Sequence, residues 1–271
     1  MTPKLSIVSV TYKDLKGLEA TLESLRPLMS LPLTWEHIVV DSSPEESQSA
    51  FGRLSKKWPL VRIKIKPLGI YSAQNAGAAE AKGDILWFLN GGDKLKSLAS
   101  LKAVLTSFEG DPELDVLCAA AELYRKNEYL YTVVPHNIFI RNLIGKNSVC
   151  HQAVFLKRSS FKKVGFFDTS FKIAADYEHH WRSVIAGLKF LCISNPIVCY
   201  DMSGESSAFQ KSFFEFKKVQ RTLRSQIPMI YAICNEVMRP VEYGKIAALK
   251  VLGKSRLEPH LKKIWIKWKR L

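Results

Sequence analysis

Long apolar runs are missing from this chain. No stretch of about 18 apolar residues occurs in its 271 residues, so no segment reads as a membrane-spanning helix. Cysteine is scarce and scattered: Cys118, Cys150, Cys192, Cys199 and Cys234 are odd in number and contain no Cys-x-x-Cys pair. A disulfide framework is thereby excluded and a zinc site disfavoured, leaving free thiols in a reducing compartment as the expectation. No apolar leader is present, because Met1-Thr2-Pro3-Lys4-Leu5 runs straight into a strand pattern. A cytoplasmic protein is expected on that ground. There is no Gly-x-Ser-x-Gly elbow, no Gly-x-Gly-x-x-Gly fingerprint and no Walker-type loop. Those absences weigh against a serine hydrolase, a Rossmann dehydrogenase and a P-loop kinase. No internal repeat or low-complexity segment is visible. Acidic residues are in deficit, 25 against 40 Lys and Arg, for a net charge of +15.

The surplus is unevenly placed. Between Lys211 and Leu271, fifteen Lys or Arg face four Glu. These cations are interleaved with Phe213, Phe214, Phe216, Ile246, Leu249, Ile264, Trp265, Ile266 and Trp268. Basic helices with aromatics at the headgroup level suit an anionic membrane surface. The plainer alternative is an amphipathic appendage packed on the core with its charges solvated. Nucleic acid is not the expected partner, because the charge sits in the tail and no nucleic-acid-binding motif accompanies it.

Ahead of the tail, apolar strand-length runs alternate with helical spacings. Strands are expected over Leu5–Val10, Glu36–Val40, Val61–Ile65 and Ile85–Leu89. Helices are expected over Leu15–Leu25, Glu45–Leu54, Tyr71–Ala81 and Leu98–Phe108. Such alternation predicts right-handed crossovers and an α/β fold with a mostly parallel central sheet flanked by helices. The later part is more mixed. Strands are expected at Val116–Leu123, Tyr129–Val134, Gln152–Leu156, Phe190–Ile193 and Ile197–Tyr200. A short helix at Ser159–Val164 and an amphipathic one at Ala175–Gly187 complete the pattern. The division expected is a catalytic unit over 1–210 and a basic helical extension over 211–271.

The organising stretch is Gly83 to Asp93. Ile85 to Leu89 form an unbroken apolar run, as in a strand buried on both faces. The run stops in Asn90-Gly91-Gly92-Asp93, where the glycines permit tight turns and close ligand approach. Oxygen ligands at the carboxyl end of a buried strand lie where open α/β sheets bind ligands. A carboxylate there suits a hard divalent cation shared with a diphosphate; a polar turn with Asp93 as a helix N-cap is the plain alternative. The same edge is expected to gather Thr11, Asp41 and Lys66. Asp176, at the start of the amphipathic helix, is either an N-cap or a general base that takes a proton from an attacking hydroxyl. His151, His179 and His180 are read as ordinary polar residues, since adjacent helical histidines point about 100° apart.

Several pieces, in this order and spacing, resemble the inverting family 2 glycosyltransferases of GT-A fold. They are Leu5 to Tyr12, Ile38 to Asp41, Gly69 to Gly77, Gly83 to Asp93, His151-Gln152, Gly165 to Asp168 and Ala174 to Glu178. The pattern Leu89-Asn90-x-Gly92-Asp93 is similar to enzymes that build bacterial surface polysaccharides of the colanic acid, O-antigen or capsule type. The resemblance implies that Thr11, Tyr12 and Asp41 hold the nucleotide base and ribose and that Asn75 lies on the donor side. Asn90, Gly91 and Gly92 then belong to the Asp-x-Asp region, Asp93 binds Mg²⁺ or Mn²⁺, and Asp176 deprotonates the acceptor hydroxyl. A nucleotide-sugar donor is implied, with hexosyl or N-acetylhexosaminyl transfer to a lipid-linked saccharide. The expected location is the inner face of the bacterial cytoplasmic membrane, with the basic C-terminus as the contact. Two departures stand out: Asp41-Ser42 replaces the usual Asp-Gly, and Asn90 and Gly92 stand where many relatives carry aspartates. They leave open a nucleotide-sugar-binding module with impaired turnover.

Overall fold

Strand β1 (Leu5–Thr11) is apolar on both faces because it is covered on both. In the computed structural model, which describes residues 4–44, 48–137, 143, 149–202, 209–223 and 226, it lies between β2 (Trp35–Asp41) and β4 (Ile85–Phe88), parallel to each. Strand β3 (Val61–Lys64) extends the parallel set beyond β2. Side chains alternate between two cores, as the period-2 geometry of a strand requires. Leu5, Ile7, Ile85 and Trp87 point to the side carrying helix α4 (Leu98–Gly110). Val8, Val40, Leu86 and Phe88 point to the side carrying helix α3 (Ile70–Glu80). Helix α1 (Leu15–Leu25) and helix α2 (Gln48–Lys57) enclose a third, smaller cluster built on Leu18, Leu22, Phe51 and Trp58.

The expected parallel unit is therefore present as β3-β2-β1-β4, and the later strands extend it into a mixed sheet. Strand β8 (Val154–Lys157) pairs antiparallel with β4 and with β6 (Val116–Arg125), and β6 carries the hairpin partner β7 (Glu128–Val133). On its other edge β6 runs parallel to β9 (Phe190–Asp201). The two short strands expected at Phe190–Ile193 and Ile197–Tyr200 are one strand. Its register against β6 shifts near Ala120, opposite Pro196. A local irregularity there accommodates a residue with no N–H to give. Strand β5 (Lys94–Leu95), which no periodicity of its own announces, pairs with the far end of β9.

Helix α5 (Arg158–Val164) and helix α6 (Ala175–Ile185) cover the α3 side of the sheet. Helix α7 (Phe209–Leu223) crosses the boundary expected at 210/211 and packs on α6, with Phe216 edge-on to Tyr177 and Val219 fully buried. Apart from α7 and residue 226, the basic segment 211–271 lies outside the described residues, and so does its expected membrane-facing pattern.

Candidate active site

The turn after β4 is held from three elements. Gly91 N–H donates to Val10 O at 3.1 Å, which continues the β1 contact past the end of β4. Gly92 has φ +98, a conformation that glycine adopts without steric penalty. Thr21, fully buried on α1, accepts the Gly92 N–H at 3.0 Å and donates to Asp93 O at 2.7 Å. Gln74, on α3, donates to Asn90 Oδ1 at 3.0 Å. The Asp93 side chain is thereby aimed inward, with 4% of the residue exposed. The β5–β9 pairing brings Asp201 alongside, and its N–H donates to Asp93 Oδ1 at 3.2 Å. Burial pushes the Asp93 carboxyl well above the ordinary range, and the Asp201 charge adds to that. The Asp201 N–H and the Gln152 side chain only partly oppose it.

Asp176 stands in the first turn of α6, where unpaired helix N–H groups favour a negative charge. The Tyr71 hydroxyl, from the first turn of α3, lies 2.8 Å from Asp176 Oδ1 and 2.7 Å from Ile173 O, to either of which it can donate. Burial and the Asp176 charge raise the Tyr71 phenol far above its usual range, so it stays a donor. Cys150 senses both acids: burial, then Asp93, then Asp176 lift its thiol to about 12. Two further imidazoles feel Asp176. Burial holds His180 down to about 4 and lowers His151, with the Asp176 charge pulling the other way in each. His179 is stacked on Phe161 and close to Phe167. Among the described residues no group of three or more His, Cys, Asp or Glu has the arrangement of a metal site.

Of the other expected residues, Thr11 and Asp41 end the adjacent strands β1 and β2, Tyr12 follows β1, and Asn75 lies in α3. Thr11 sits opposite Asp41, and Asp41 opposite Lys64. The Asp41 carboxylate is fully buried and already paired, with Arg62 Nη2 at 2.5 Å and Lys64 Nζ at 3.3 Å. Burial pushes its pKa up, but hydrogen bonds from Arg62, Ser43 and Lys64 outweigh that and hold it below the usual carboxylate range. Tyr12 projects into solvent, 53% exposed, with the Lys13 ammonium 5.2 Å from its ring centre. Thr11 spends its hydroxyl on Asp14 O at 3.1 Å. Asn75 is engaged at both ends of its amide, giving to Phe167 O and accepting from Phe167 N, each at 2.9 Å. A donor contact from Asn75 requires that clamp to open. Thr21, Gln74, Gln152 and Asp201 were not singled out in the sequence. Gln74 and Gln152 lie inside the pieces that carry the family resemblance, whereas Thr21 and Asp201 have no local signal and reach the site only through tertiary pairing.

Comparison with known proteins identifies the family and the fold. The family described as "Glycosyl transferase family 2" matches residues 6–165. The "Uncharacterized glycosyltransferase Rv1514c" of Mycobacterium tuberculosis is 30% identical over 186 residues, covering 68% of this chain and 70% of that protein. Among solved structures, Staphylococcus aureus TarS 1–349 in complex with UDP-GlcNAc superposes with TM-score 0.68 at 16% identity, covering 94% of this chain and 78% of that one. This chain spans 39% of the longer TarS chain. The mannosyltransferase PcManGT from Pyrobaculum calidifontis, in complex with GDP-Man and Mn²⁺, superposes with TM-score 0.63 at 17% identity, covering 97% and 79%. At such identities the two structures speak to the fold, which is the expected GT-A architecture.

Proposed function

The chain belongs to glycosyl transferase family 2, and from that premise we propose that it moves a sugar from a nucleoside-diphosphate donor to an acceptor hydroxyl with inversion. The observation that carries the reading is Asp176 at the head of α6, its Oδ1 2.8 Å from the buried Tyr71 hydroxyl, in a chain whose family match covers residues 6–165.

Asp176 is the general base. The Tyr71 hydroxyl lies against Oδ1, so Oδ2 is the oxygen assigned to the acceptor proton. The acceptor oxygen then bonds to the anomeric carbon from the face opposite the diphosphate. The bond from that carbon to the diphosphate oxygen breaks, and its electron pair leaves with the nucleoside diphosphate. Asp93 suits a divalent cation: it is buried and repelled by Asp201, and no Lys or Arg among the described residues acts on it. Mg²⁺ or Mn²⁺ held by Asp93 and diphosphate oxygens would supply positive charge to the leaving group. Thr11, Tyr12, Asp41, Asn75 and Asn90 to Gly92 are assigned to the donor side, with Arg62 and Lys64 holding Asp41 in place.

Hexosyl or N-acetylhexosaminyl transfer fits the UDP-GlcNAc and GDP-Man carried by the structural neighbours. The acceptor assigned is a lipid-linked saccharide at the inner face of the bacterial membrane, in surface-polysaccharide synthesis. Its support is the basic surplus after Lys211, which defines the 211–271 extension and suits a peripheral contact. No helix among the described residues is long and apolar enough to cross a membrane.

A panel of UDP-GlcNAc, UDP-glucose and GDP-mannose, with and without Mn²⁺, tests the reading by thermal stabilisation and nucleoside-diphosphate release. Asp176→Asn is expected to retain donor binding and lose transfer. Turnover close to wild type in that variant removes Asp176 as the base. Donor binding without turnover in the wild-type chain would favour a binding module instead.

A further inference from the structure

Ala174, at the N-cap position of α6, has no side chain that can accept a hydrogen bond. Polar N–H groups at such a helix start need partners from elsewhere. They come from α7. Glu215 Oε1 accepts from Lys172 N at 2.9 Å, and Glu215 Oε2 accepts from Ile173 N at 2.7 Å and from Ala174 N at 2.9 Å. The partners are more than forty positions apart in the chain.

One peptide unit makes the connection to chemistry. The amide joining Ile173 to Ala174 gives its N–H to Glu215 and presents its C=O to the Tyr71 hydroxyl. That hydroxyl is also within hydrogen-bond distance of Asp176 Oδ1. Glu215 therefore fixes the peptide whose C=O shares the single Tyr71 proton with Asp176 Oδ1. We propose that Glu215 is a positioning residue for Asp176, so that the helix opening the basic C-terminal segment sets the geometry of the general base. The proposal rests on the reading of Asp176 as base. It extends that reading to helix α7.

Independent contacts seat the helix for this role. Gln220 Nε2 donates to the Tyr177 hydroxyl at 3.2 Å, and Phe216 meets the Tyr177 ring edge-on at 4.7 Å. The Lys218 ammonium lies 4.7 Å from the centre of the Phe171 ring. Tyr177 directly follows Asp176 in α6, so α7 grips the base from the loop before it and from the residue after it.

The test compares wild type with Glu215→Gln, Glu215→Asp and Asp176→Asn in the full chain. UDP-GlcNAc with Mn²⁺ is the probe, replaced by GDP-mannose if the panel above selects it. Glu215→Gln removes the charge and one acceptor oxygen. It is expected to lower kcat by about tenfold to a hundredfold, as small displacements of catalytic groups do. KM for the donor should stay within about twofold, because the donor side is untouched. Hydrogen exchange at residues 172–174 should rise by about tenfold without substrate present. Glu215→Asp keeps the charge and should recover part of the lost turnover. If Glu215→Gln does not fold, the kcat-against-KM split is read on Glu215→Asp. The proposal is overturned if kcat is unchanged in whichever Glu215 variant folds, or if kcat falls only in proportion to thermal stability with no recovery by Asp. Loss of turnover in Asp176→Asn beside a normal Glu215→Gln would sink the positioning role and spare the base. Normal turnover in Asp176→Asn would sink the base itself.

Discussion

Replacing Thr21 by Val removes a hydroxyl and leaves the side-chain shape nearly intact. In the native turn that hydroxyl takes the Gly92 N–H at 3.0 Å and gives its proton to Asp93 O at 2.7 Å. Asn90 O and Gly17 O lie farther away, at 3.2 Å each. A methyl group can replace neither bond, so two main-chain groups lose their partner. Each buried group left without a partner costs about 1–3 kcal/mol, which gives about 2–6 kcal/mol for the pair. In a chain of this size that corresponds to a fall of roughly 4–24 °C in Tm. The function should suffer with the fold, since the same turn carries Asp93. Calorimetric titration with UDP and Mn²⁺ should show affinity reduced by about tenfold or more, equivalent to 1.4 kcal/mol. Thr21→Ser keeps the oxygen and should retain most of the affinity while losing about 1 kcal/mol of burial. A valine variant as stable as wild type, binding UDP and Mn²⁺ equally well, would refute the idea that this hydroxyl pins the turn.

Asp93→Asn removes a buried anion that folding disfavours. The variant should melt no lower than wild type at pH 7.5 yet lose Mn²⁺-dependent UDP affinity, and retained affinity would reject Asp93 as the metal ligand. Gly83→Ala places a Cβ 2.6 Å from Ser6 N and 2.8 Å from Leu5 C, both main-chain atoms of β1. It should destabilise by about 1–3 kcal/mol in urea unfolding, and an unchanged midpoint would show that the strand yields freely. Burial lowers His37 from 6.5 to about 4 beside Ser9 Oγ. The unfolded chain therefore binds the proton first, so full stability is present above pH 6.5 and is lost as pH falls toward 4. About 2 kcal/mol of the His37 contribution should be gone by pH 5. A Tm that holds level between pH 7 and 5 would contradict this.

What could be read locally was read well where one periodicity ran uninterrupted. The spacing of Leu15, Leu18, Leu22 and Leu25 places helix α1 over the residues it occupies, with the Asp14 side chain capping it by accepting from Gly17 N at 2.8 Å. The apolar run before Asn90 marks a strand buried throughout. Broken patterns were harder. Pro196 reads as a gap between two strands, and only the shifted register against β6 shows that β9 continues through it. The roles expected from family resemblance met a different limit. Resemblance put Asn75 and Asp41 in the site region, but it carried no information on the Phe167 clamp or the Arg62 and Lys64 pairing that already engage them.

The sequence by itself determined the α/β alternation, the β4 turn with its single carboxylate, and the acid at the head of α6. Each of these depends on residues within one element, where hydrophobic period and turn chemistry act over a few positions. Tertiary structure alone decided which groups surround those acids: Asp201 beside Asp93 through the β5–β9 ladder, Tyr71 on Asp176, and Glu215 beneath the peptide between them. Contacts that join residues 40 to more than 100 positions apart leave no local trace. They form because an unpaired buried polar group is costly, so most such groups find a partner wherever in the chain it lies.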